Sequence, residues 1–239
     1  MSTEYKEITK ESLNMYLNDL AKAYKKLNRK GLPVEIILIG GTAILAGYNF
    51  RNASTDADAL IGADSAIKDA ITSVAEKHGL KSNWLNDDFK RIDSYSDKLR
   101  GVSKFYKTFA QILNVRLVSD EYLVAMKLKS GREYKFDLSD VVGILEEHLV
   151  NGKPISREMV NNALIELYGD CERIPESSKE LFELVFSGKS LKGLYKSLRA
   201  KEIENNKLLK DFKEDNPKAL TKDNISEVLK RLQEDVSRA

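Results

Sequence analysis

The chain is poor in the residues that build disulfide frameworks and zinc sites. Its single cysteine, Cys171, allows no intrachain disulfide and suits a reducing cytosol. The two histidines, His78 and His148, are distant from each other and from Cys171 in the sequence, so we expect no zinc site. The first residues form no apolar signal region, and no apolar run approaches the about 18 residues of a membrane span. We therefore predict a cytoplasmic protein with no membrane partner.

An excess of charge of one sign is also lacking. The 39 basic residues nearly balance the 37 acidic ones, giving a net charge of +2. This balance excludes a strongly basic nucleic-acid coat, although it permits a local basic groove. The sequence has no Walker loop, no serine-nucleophile motif and no G-x-G-x-x-G turn, so the nucleotide-binding and hydrolase classes that depend on them are disfavoured. Hydrophobic residues make up 42% of the 239 residues, enough for one ordinary domain and a smaller one.

The most informative stretch is residues 34–61, VEIILIGGTAILAGYNFRNASTDADALI. Its apolar start predicts a buried strand that ends at Gly40 and Gly41, and the small and apolar residues from position 42 to 46 predict the first turns of a helix. A second short strand carries Asp56 and Asp58. Side chains two positions apart on a strand point to the same face, so these carboxylates can hold one divalent cation between them.

The glycine pair is physically suited to such a site. Because glycine has no side chain, its backbone N–H groups can approach a triphosphate, and the start of a helix adds a favourable dipole. Each half of the pattern has a simpler interpretation: Gly-Gly alone is often a tight turn, and Asp-x-Asp alone is common in solvated loops. The presence of both motifs in this order, across a strand–helix–strand unit, favours a functional site over these simpler interpretations.

A second informative stretch runs from residue 119 to 145. Ser119 caps a helix that contains Lys127 and ends at Gly131, and another helix starts near Asp137. Asp137 and Asp140 lie one turn apart and so on one face of that helix. The simpler interpretations are an ordinary exposed lysine at 127 and an N-cap at 137. Capping does not explain Asp140, which lies inside the helix.

The remaining pattern is mainly helical. We predict that residues 109–118 form one long strand or a hairpin. Helices are predicted at 8–30, at 64–79 with Asp64 and Ser65 as its cap, and beyond Val150 at 156–168, 177–187, 189–213 and 221–236. The stretch 189–213 is basic, but Glu202 and Glu204 interrupt it. We therefore interpret it as a solvated helix rather than an RNA-binding face.

The strand–Gly-Gly–helix–Asp-x-Asp unit resembles the nucleotidyltransferase fold of the polymerase-beta-like superfamily. Arg51, Ser54 and the lead-in RNASTDAD resemble the minimal bacterial branch that includes the AbiEii-type toxins. The resemblance implies an α+β fold, with a mixed sheet flanked by helices over residues 1–150 and a small helical domain over 151–239.

The resemblance also implies roles for individual residues. Asp56 and Asp58 would bind Mg²⁺ or Mn²⁺, and Lys127 would contact the phosphates of an NTP. Asp137 or Asp140 would complete the site, where it would orient or deprotonate the acceptor hydroxyl. The triphosphate would be cradled by a further set of residues: Gly40, Gly41, Arg51 and Ser54.

The expected reaction moves a nucleoside monophosphate from an NTP to an acceptor and releases pyrophosphate. The resemblance implies a macromolecular acceptor, tRNA or a protein, and a toxin controlled by an antitoxin partner. A small-molecule acceptor, such as an antibiotic hydroxyl, is the alternative. A third hypothesis is a nucleotide-binding module without catalysis, because the strand where many relatives carry a third carboxylate offers only Asn114 and Arg116.

Overall fold

The computed structural model describes residues 6–54, 56–62, 65–221 and 223–238, with side chains as far as Val236. The predicted cap residue Asp64 lies outside the described residues. The strands are β1 (Ile8–Thr9), β2 (Val34–Leu38), β3 (Ala53–Ser54), β4 (Ala57–Ile61), β5 (Leu85–Asn86), β6 (Ser103–Phe109) and β7 (Leu113–Val118). The helices are α1 (Lys10–Leu27), α2 (Gly40–Gly47), α3 (Ser65–His78), α4 (Asp120–Ser130), α5 (Asp137–Val150), α6 (Arg157–Tyr168), α7 (Glu176–Val185), α8 (Leu194–Asp215) and α9 (Ile225–Arg238).

Five of the strands form a mixed sheet with the order β5-β4-β2-β7-β6. Strand β2 is antiparallel to β4 and parallel to β7, while β5 runs parallel to β4 and β6 antiparallel to β7. Strands β1 and β3 form a separate two-stranded sheet. With helices around the mixed sheet and a helical C-terminal region, the predicted α+β fold of the nucleotidyltransferase type is confirmed.

The sheet register brings the two halves of the 34–61 motif together. Leu38 at the end of β2 lies opposite Ala59 of β4. The next amide, that of Ile39, donates a hydrogen bond of 3.1 Å to the carbonyl of Asp58. The chain therefore enters α2 directly beside Asp58, because an antiparallel register fixes which residues are neighbours across the strands.

Residues 109–118 form part of a hairpin, one of the two structures that their pattern allowed. Strands β6 and β7 are joined at Ala110 and Gln111, which have φ of 45° and 60°. Consecutive left-handed residues are typical of tight hairpin turns, because their twist matches that of the strands they connect. Strand β7 thereby runs parallel to the central strand β2, on the side of β2 opposite β4.

The amphipathic helices pack as their spacing predicts, with a few corrections at their ends. Helix α1 buries Leu13, Tyr16, Leu17, Leu20 and Tyr24, whereas Leu27 is 45% exposed because it is the last helical residue. Met159, near the start of α6, is 42% exposed.

The C-terminal helices pack against the helices that follow the sheet: α6 against α4, and α8 against α5. The domain boundary at residue 150 stays a prediction. The stretch 189–213 is helical only from Leu194, and its lysines are exposed, as expected of a solvated helix. The prediction missed one buried face of α8, which carries Glu202, Asn205 and Leu209. In the described part of the chain, no helix combines the length and the apolar character needed to cross a bilayer.

Candidate functional site

Helix α2 begins at the glycine pair. Gly40 has φ of +50°, a conformation that side-chain-bearing residues rarely adopt. A Cβ atom at this position would lie 3.9 Å from Oδ2 of Asp58, so the helix start and this carboxylate are adjacent. The N-cap residue, Ile39, has an apolar side chain and cannot cap the first amide groups of the helix. This end of α2 is therefore suited to an anionic ligand.

The two carboxylates of the Asp-x-Asp motif lie at the start of β4. Asp56 is exposed and precedes the strand, and Asp58 is half-buried within it. Thr42 of α2 ties the pair to the helix: its hydroxyl oxygen accepts the Asp58 amide at 3.0 Å and donates to the Asp56 carbonyl at 3.4 Å. The motif is thus held at two points by one side chain.

The electrostatics of Asp58 show a shortage of positive charge. Burial, and then the charge of Asp56, raise its pKa from 3.8 to about 6, although Lys127 and Arg132 act in the opposite direction. A divalent cation between the two carboxylates would relieve this repulsion. The oxygen donors match the preference of Mg²⁺ or Mn²⁺ for hard ligands. Over the described ranges, no group of three or more His, Cys, Asp and Glu side chains is arranged to hold a metal, so substrate oxygens or water would complete the coordination.

Lys127 is the centre of a buried ion-pair cluster. It lies in α4 and is only 7% exposed, so the interpretation as an ordinary exposed lysine is wrong. Its Nζ atom is 2.8 Å from Oδ1 of Asp137 and 2.9 Å from Oδ2 of Asp140. Both aspartates are 0% exposed. A buried charge must be paired, and this lysine is paired with two carboxylates.

The N-cap interpretation of Asp137 is also wrong. Phe136 occupies the N-cap position of α5, and Asp137 is the first helical residue. Its Oδ2 atom accepts hydrogen bonds from Nε of Arg132 at 2.7 Å and from the Arg132 backbone amide at 3.3 Å. Burial acts to raise the pKa of Asp137, but the charges and hydrogen bonds of Lys127 and Arg132 outweigh it and hold this pKa far below its ordinary value.

Arg51 connects the buried cluster to the glycine pair. Its Nη1 atom is 2.5 Å from Oδ2 of Asp140, an ion pair between residues 89 positions apart. A Cβ atom at Gly41 would lie 2.6 Å from Nη2 of the same guanidinium. Only glycine at position 41 therefore leaves room for Arg51 against the start of α2. The Arg199 guanidinium approaches the other oxygen of Asp140 at 3.7 Å.

Some residues predicted from the sequence lie elsewhere. Ser54 is in β3, where it pairs with Ile8, and among the described residues its side chain makes no hydrogen bond to the cluster; strand β3 packs against α2, so the role of Ser54 stays a prediction. Strand β7 carries no carboxylate. Its Asn114 accepts a hydrogen bond from Thr108, and Arg116 donates to Ser103, so both side chains are engaged on β6.

The structure also shows site residues that the sequence did not single out: Arg132, Arg199 and Glu202. Arg132 comes soon after Gly131, but nothing in the local pattern marks it. Glu202 was noted only as an interruption of a basic stretch. Its Oε1 atom accepts hydrogen bonds from the amides of Leu138 and Ser139 at 2.9 and 3.3 Å.

Comparison with known families agrees with this geometry. A family model described as "Nucleotidyltransferase of unknown function (DUF6036)" matches residues 15–181, more than half of the chain. No curated protein and no solved structure matches. The match includes the glycine pair, the Asp-x-Asp motif and the buried cluster up to Asp140, but it does not name the AbiEii-type branch. The chain belongs to this family of nucleotidyltransferases of unknown function.

Proposed function

We propose that the protein is a Mg²⁺-dependent enzyme that transfers a nucleoside monophosphate from an NTP to a macromolecular acceptor. One observation carries the proposal: three features suited to a metal-bound triphosphate meet in one place. They are the uncapped start of α2, the Asp56–Asp58 pair and the cluster around Lys127. Gly40 lies against Asp58 and Gly41 against Arg51, so the three features are contiguous.

The charge of the cluster supports binding of phosphates. Two buried carboxylates face four cationic side chains, so positive charge is in excess: Lys127, Arg51, Arg132 and Arg199. A triphosphate concentrates negative charge that one metal ion neutralises only in part. We assign the start of α2 and the nearest of these cations, Arg51, Lys127 and Arg132, to the β- and γ-phosphates.

Asp56 and Asp58 are the residues that would hold the metal, which in this position supplies charge neutralisation and orients the phosphates. The rest of the reaction follows from the chain's own groups. An acceptor hydroxyl oxygen forms a bond to the α-phosphorus and loses its proton to solvent. The bond from that phosphorus to the bridging oxygen breaks, and Lys127 and Arg132 neutralise the charge that develops on the departing pyrophosphate.

Asp137 and Asp140 take a different role from the first pair. Both are fully buried, and Asp137 is locked by Lys127 and Arg132. A carboxylate with a strongly lowered pKa, as at Asp137, is a poor general base, and Asp140 is held in ion pairs with Arg51 and Lys127. We therefore propose that these residues hold the phosphate-binding cations in place rather than remove a proton from the acceptor.

The resemblance to AbiEii-type toxins supports tRNA or a protein as the acceptor, and an antitoxin partner that restrains the enzyme. In that scheme the helices beyond residue 150 position the acceptor. The same resemblance supports growth arrest as the consequence of transfer.

A small-molecule acceptor is a second candidate, favoured by a cavity of about 490 Å³ at the open edge of β4. Strand β5 ends at Asn86, opposite Asp58, so it leaves the following part of β4 uncovered. Polar side chains line the cavity: Lys68, Asn83, Asn86, Asp87, Asp88 and Lys90. Asn86, which lines the cavity, lies opposite Asp58 in the sheet register, so the cavity is next to the proposed metal ligands.

A label-transfer assay with α-labelled NTPs tests the proposed transferase activity. Purified protein, Mg²⁺ and each of the four α-labelled NTPs are incubated with total cellular RNA, and RNA and protein are then resolved separately. We expect label on a tRNA-sized band or on protein. Asp58→Ala should reduce it by at least about a hundredfold, with little change in melting temperature because a repelled carboxylate is removed. Asp211→Ala, at an exposed position of α8, is the matched control.

The outcomes separate the candidates. Label that persists in well-folded Asp58→Ala would remove this residue from the site. Absence of label on RNA and protein, together with drug resistance in cells that express the enzyme, would favour the small-molecule acceptor. Tight binding of Mg²⁺ and NTP without turnover on any acceptor would leave a silent binding module, which the absence of a carboxylate from β7 also favours.

A further inference from the structure

Helix α8 reaches the candidate site from outside the family match, which ends at residue 181. It packs along α5, the helix that carries Asp137 and Asp140. Its side chains Glu202 and Asn205 are each 2% exposed, an unusual position for a glutamate and an asparagine in a charged helix. Buried polar groups of this kind need partners. Oδ1 of Asn205 accepts a hydrogen bond from Gln233, and the other partners of these two side chains lie in the segment 132–140.

Glu202 supplies the cap that α5 lacks. Phe136 is the N-cap residue of α5 and makes no side-chain cap hydrogen bond. The Oε1 atom of Glu202 instead accepts the Leu138 amide at 2.9 Å and the Ser139 amide at 3.3 Å. Because the first amides of a helix have no partner within the helix, an acceptor from another element is what fixes this end.

Two neighbouring asparagines of α8 hold the loop that leads into α5. Nδ2 of Asn205 donates to the Glu133 carbonyl at 2.8 Å, and Nδ2 of Asn206 donates to the Tyr134 carbonyl at 3.0 Å. This loop directly follows Arg132, which pairs with Asp137. The backbone on both sides of the Phe136 cap position is thus fastened to α8.

Arg199, one turn before Glu202, completes the contact. Its guanidinium carbon lies 3.8 Å from the centroid of the Phe136 ring, and its Nη1 atom is 3.7 Å from Oδ1 of Asp140. That oxygen is buried and accepts no hydrogen bond from the described residues. The whole segment from the loop to the first turn of α5 therefore rests on one face of α8.

We infer that Glu202 is a positioning residue that fixes the start of α5, and through Asp137 and Asp140 the cations that bind the triphosphate. The nucleotide part of this inference rests on the proposed function. Glu202 is not one of the residues that we assign to the metal or to the phosphates. It acts by holding the backbone amides of Leu138 and Ser139. The aspartates of this first turn of α5, Asp137 and Asp140, in turn orient the cationic side chains of Lys127, Arg51 and Arg132.

A glutamine should replace Glu202 well. Oε2 of Glu202 is buried without a hydrogen-bond partner among the described residues, so no hydrogen bond there depends on the negative charge of the carboxylate. Burial raises the pKa of Glu202 to about 7, in spite of the hydrogen bonds from Ser139 and Leu138, so this position favours the uncharged form of the side chain. A glutamine side chain retains an acceptor oxygen for the two amides.

The experiment compares Glu202→Ala and Glu202→Gln, with Glu204→Ala as the matched control at an exposed position two residues on. Hydrogen exchange reports the Leu138 and Ser139 amides, and calorimetry reports the Kd of each of the four NTPs with Mg²⁺. In Glu202→Ala we expect faster exchange at both amides and a Kd raised about tenfold or more, the usual cost of losing a group that orients site residues. Glu202→Gln should restore both readouts, and Glu204→Ala should change neither.

Other results would overturn the inference. One is a folded Glu202→Ala variant with wild-type exchange at the two amides. Another is faster exchange with an unchanged Kd, which would reduce Glu202 to a structural cap. If Glu202→Ala does not fold, Glu202→Asp withdraws the carboxylate by one methylene and carries the same expectation. A wild-type protein that binds none of the four NTPs would contradict the proposed function itself, an outcome distinct from an unchanged Kd in the variant.

Discussion

The two aspartate pairs of this protein have similar spacing in the sequence but opposite surroundings. Asp56 and Asp58 lie at the start of a strand, where burial of Asp58, and then the charge of Asp56, raise the pKa of Asp58 to about 6. Asp137 and Asp140 are fully buried and enclosed by lysine and arginine side chains. The first pair lacks positive charge, and the second is supplied with it by the protein.

This difference separates two functions that carboxylates perform in one site. A pair short of positive charge favours a cation from outside, so it is suited to a metal that arrives with substrate. A pair saturated with internal cations instead fixes those cations in space. The number of aspartates therefore does not define the proposed metal site, because the buried pair is already neutralised by the protein's own cations.

The largest expected contrast comes from the same substitution in each pair. Asp140→Asn leaves Lys127 and Arg51 with an incomplete buried partner, so we expect the free energy of unfolding to fall by about 3 kcal/mol. Asp58→Asn removes repulsion, and we expect the free energy of unfolding at pH 7 to stay the same or rise. Urea denaturation of the three proteins measures both values. Equal losses in the two variants would show that the pairs do not differ in the way described.

The sequence could predict the parts of this contrast that depend on neighbouring residues, but not those that depend on residues far apart in the chain. The strand before Gly40, the helix ending at Gly131 and the shared face of Asp137 and Asp140 follow from local patterns, and the structure has each of them. The sequence could not predict that Arg51 pairs with Asp140, since 89 positions separate them and many arginines were equally eligible.

The same limit explains the error at Glu202. A glutamate within a basic helix is usually solvated, and the local pattern offered no reason to bury it. Its partners, the amides of Leu138 and Ser139, are 64 and 63 positions away. Backbone amides leave no trace in a residue pattern, so a cap supplied by a distant helix becomes visible only when α8 is seen against α5.

A smaller effect should appear in the pH dependence. The pKa of Asp58 is higher in the folded protein than the value near 3.8 of an unperturbed aspartate. The folded state therefore binds this proton more tightly, and this group's contribution to stability is lost as the pH rises from about 4 to about 6. In the absence of metal, the stability of Asp58→Asn relative to wild type should increase by about 1 kcal/mol over this range, after allowance for solvent screening.

Urea denaturation at a series of pH values, in EDTA, measures this difference. Glu202 titrates in both proteins and cancels from the comparison. A difference that stays constant from pH 4 to 7 would mean that Asp58 is not held in the charge-poor environment described here.

The central claim is that the β4 pair takes an external cation while the α5 pair holds internal ones. The most direct measurement is calorimetric titration of each NTP into wild-type protein and Asp58→Asn, once with Mg²⁺ and once with EDTA. We predict that at least one NTP binds the wild type much more tightly with Mg²⁺, and that Asp58→Asn loses this dependence on metal. Equal affinity in Mg²⁺ and EDTA, or metal dependence that survives in Asp58→Asn, would contradict the account.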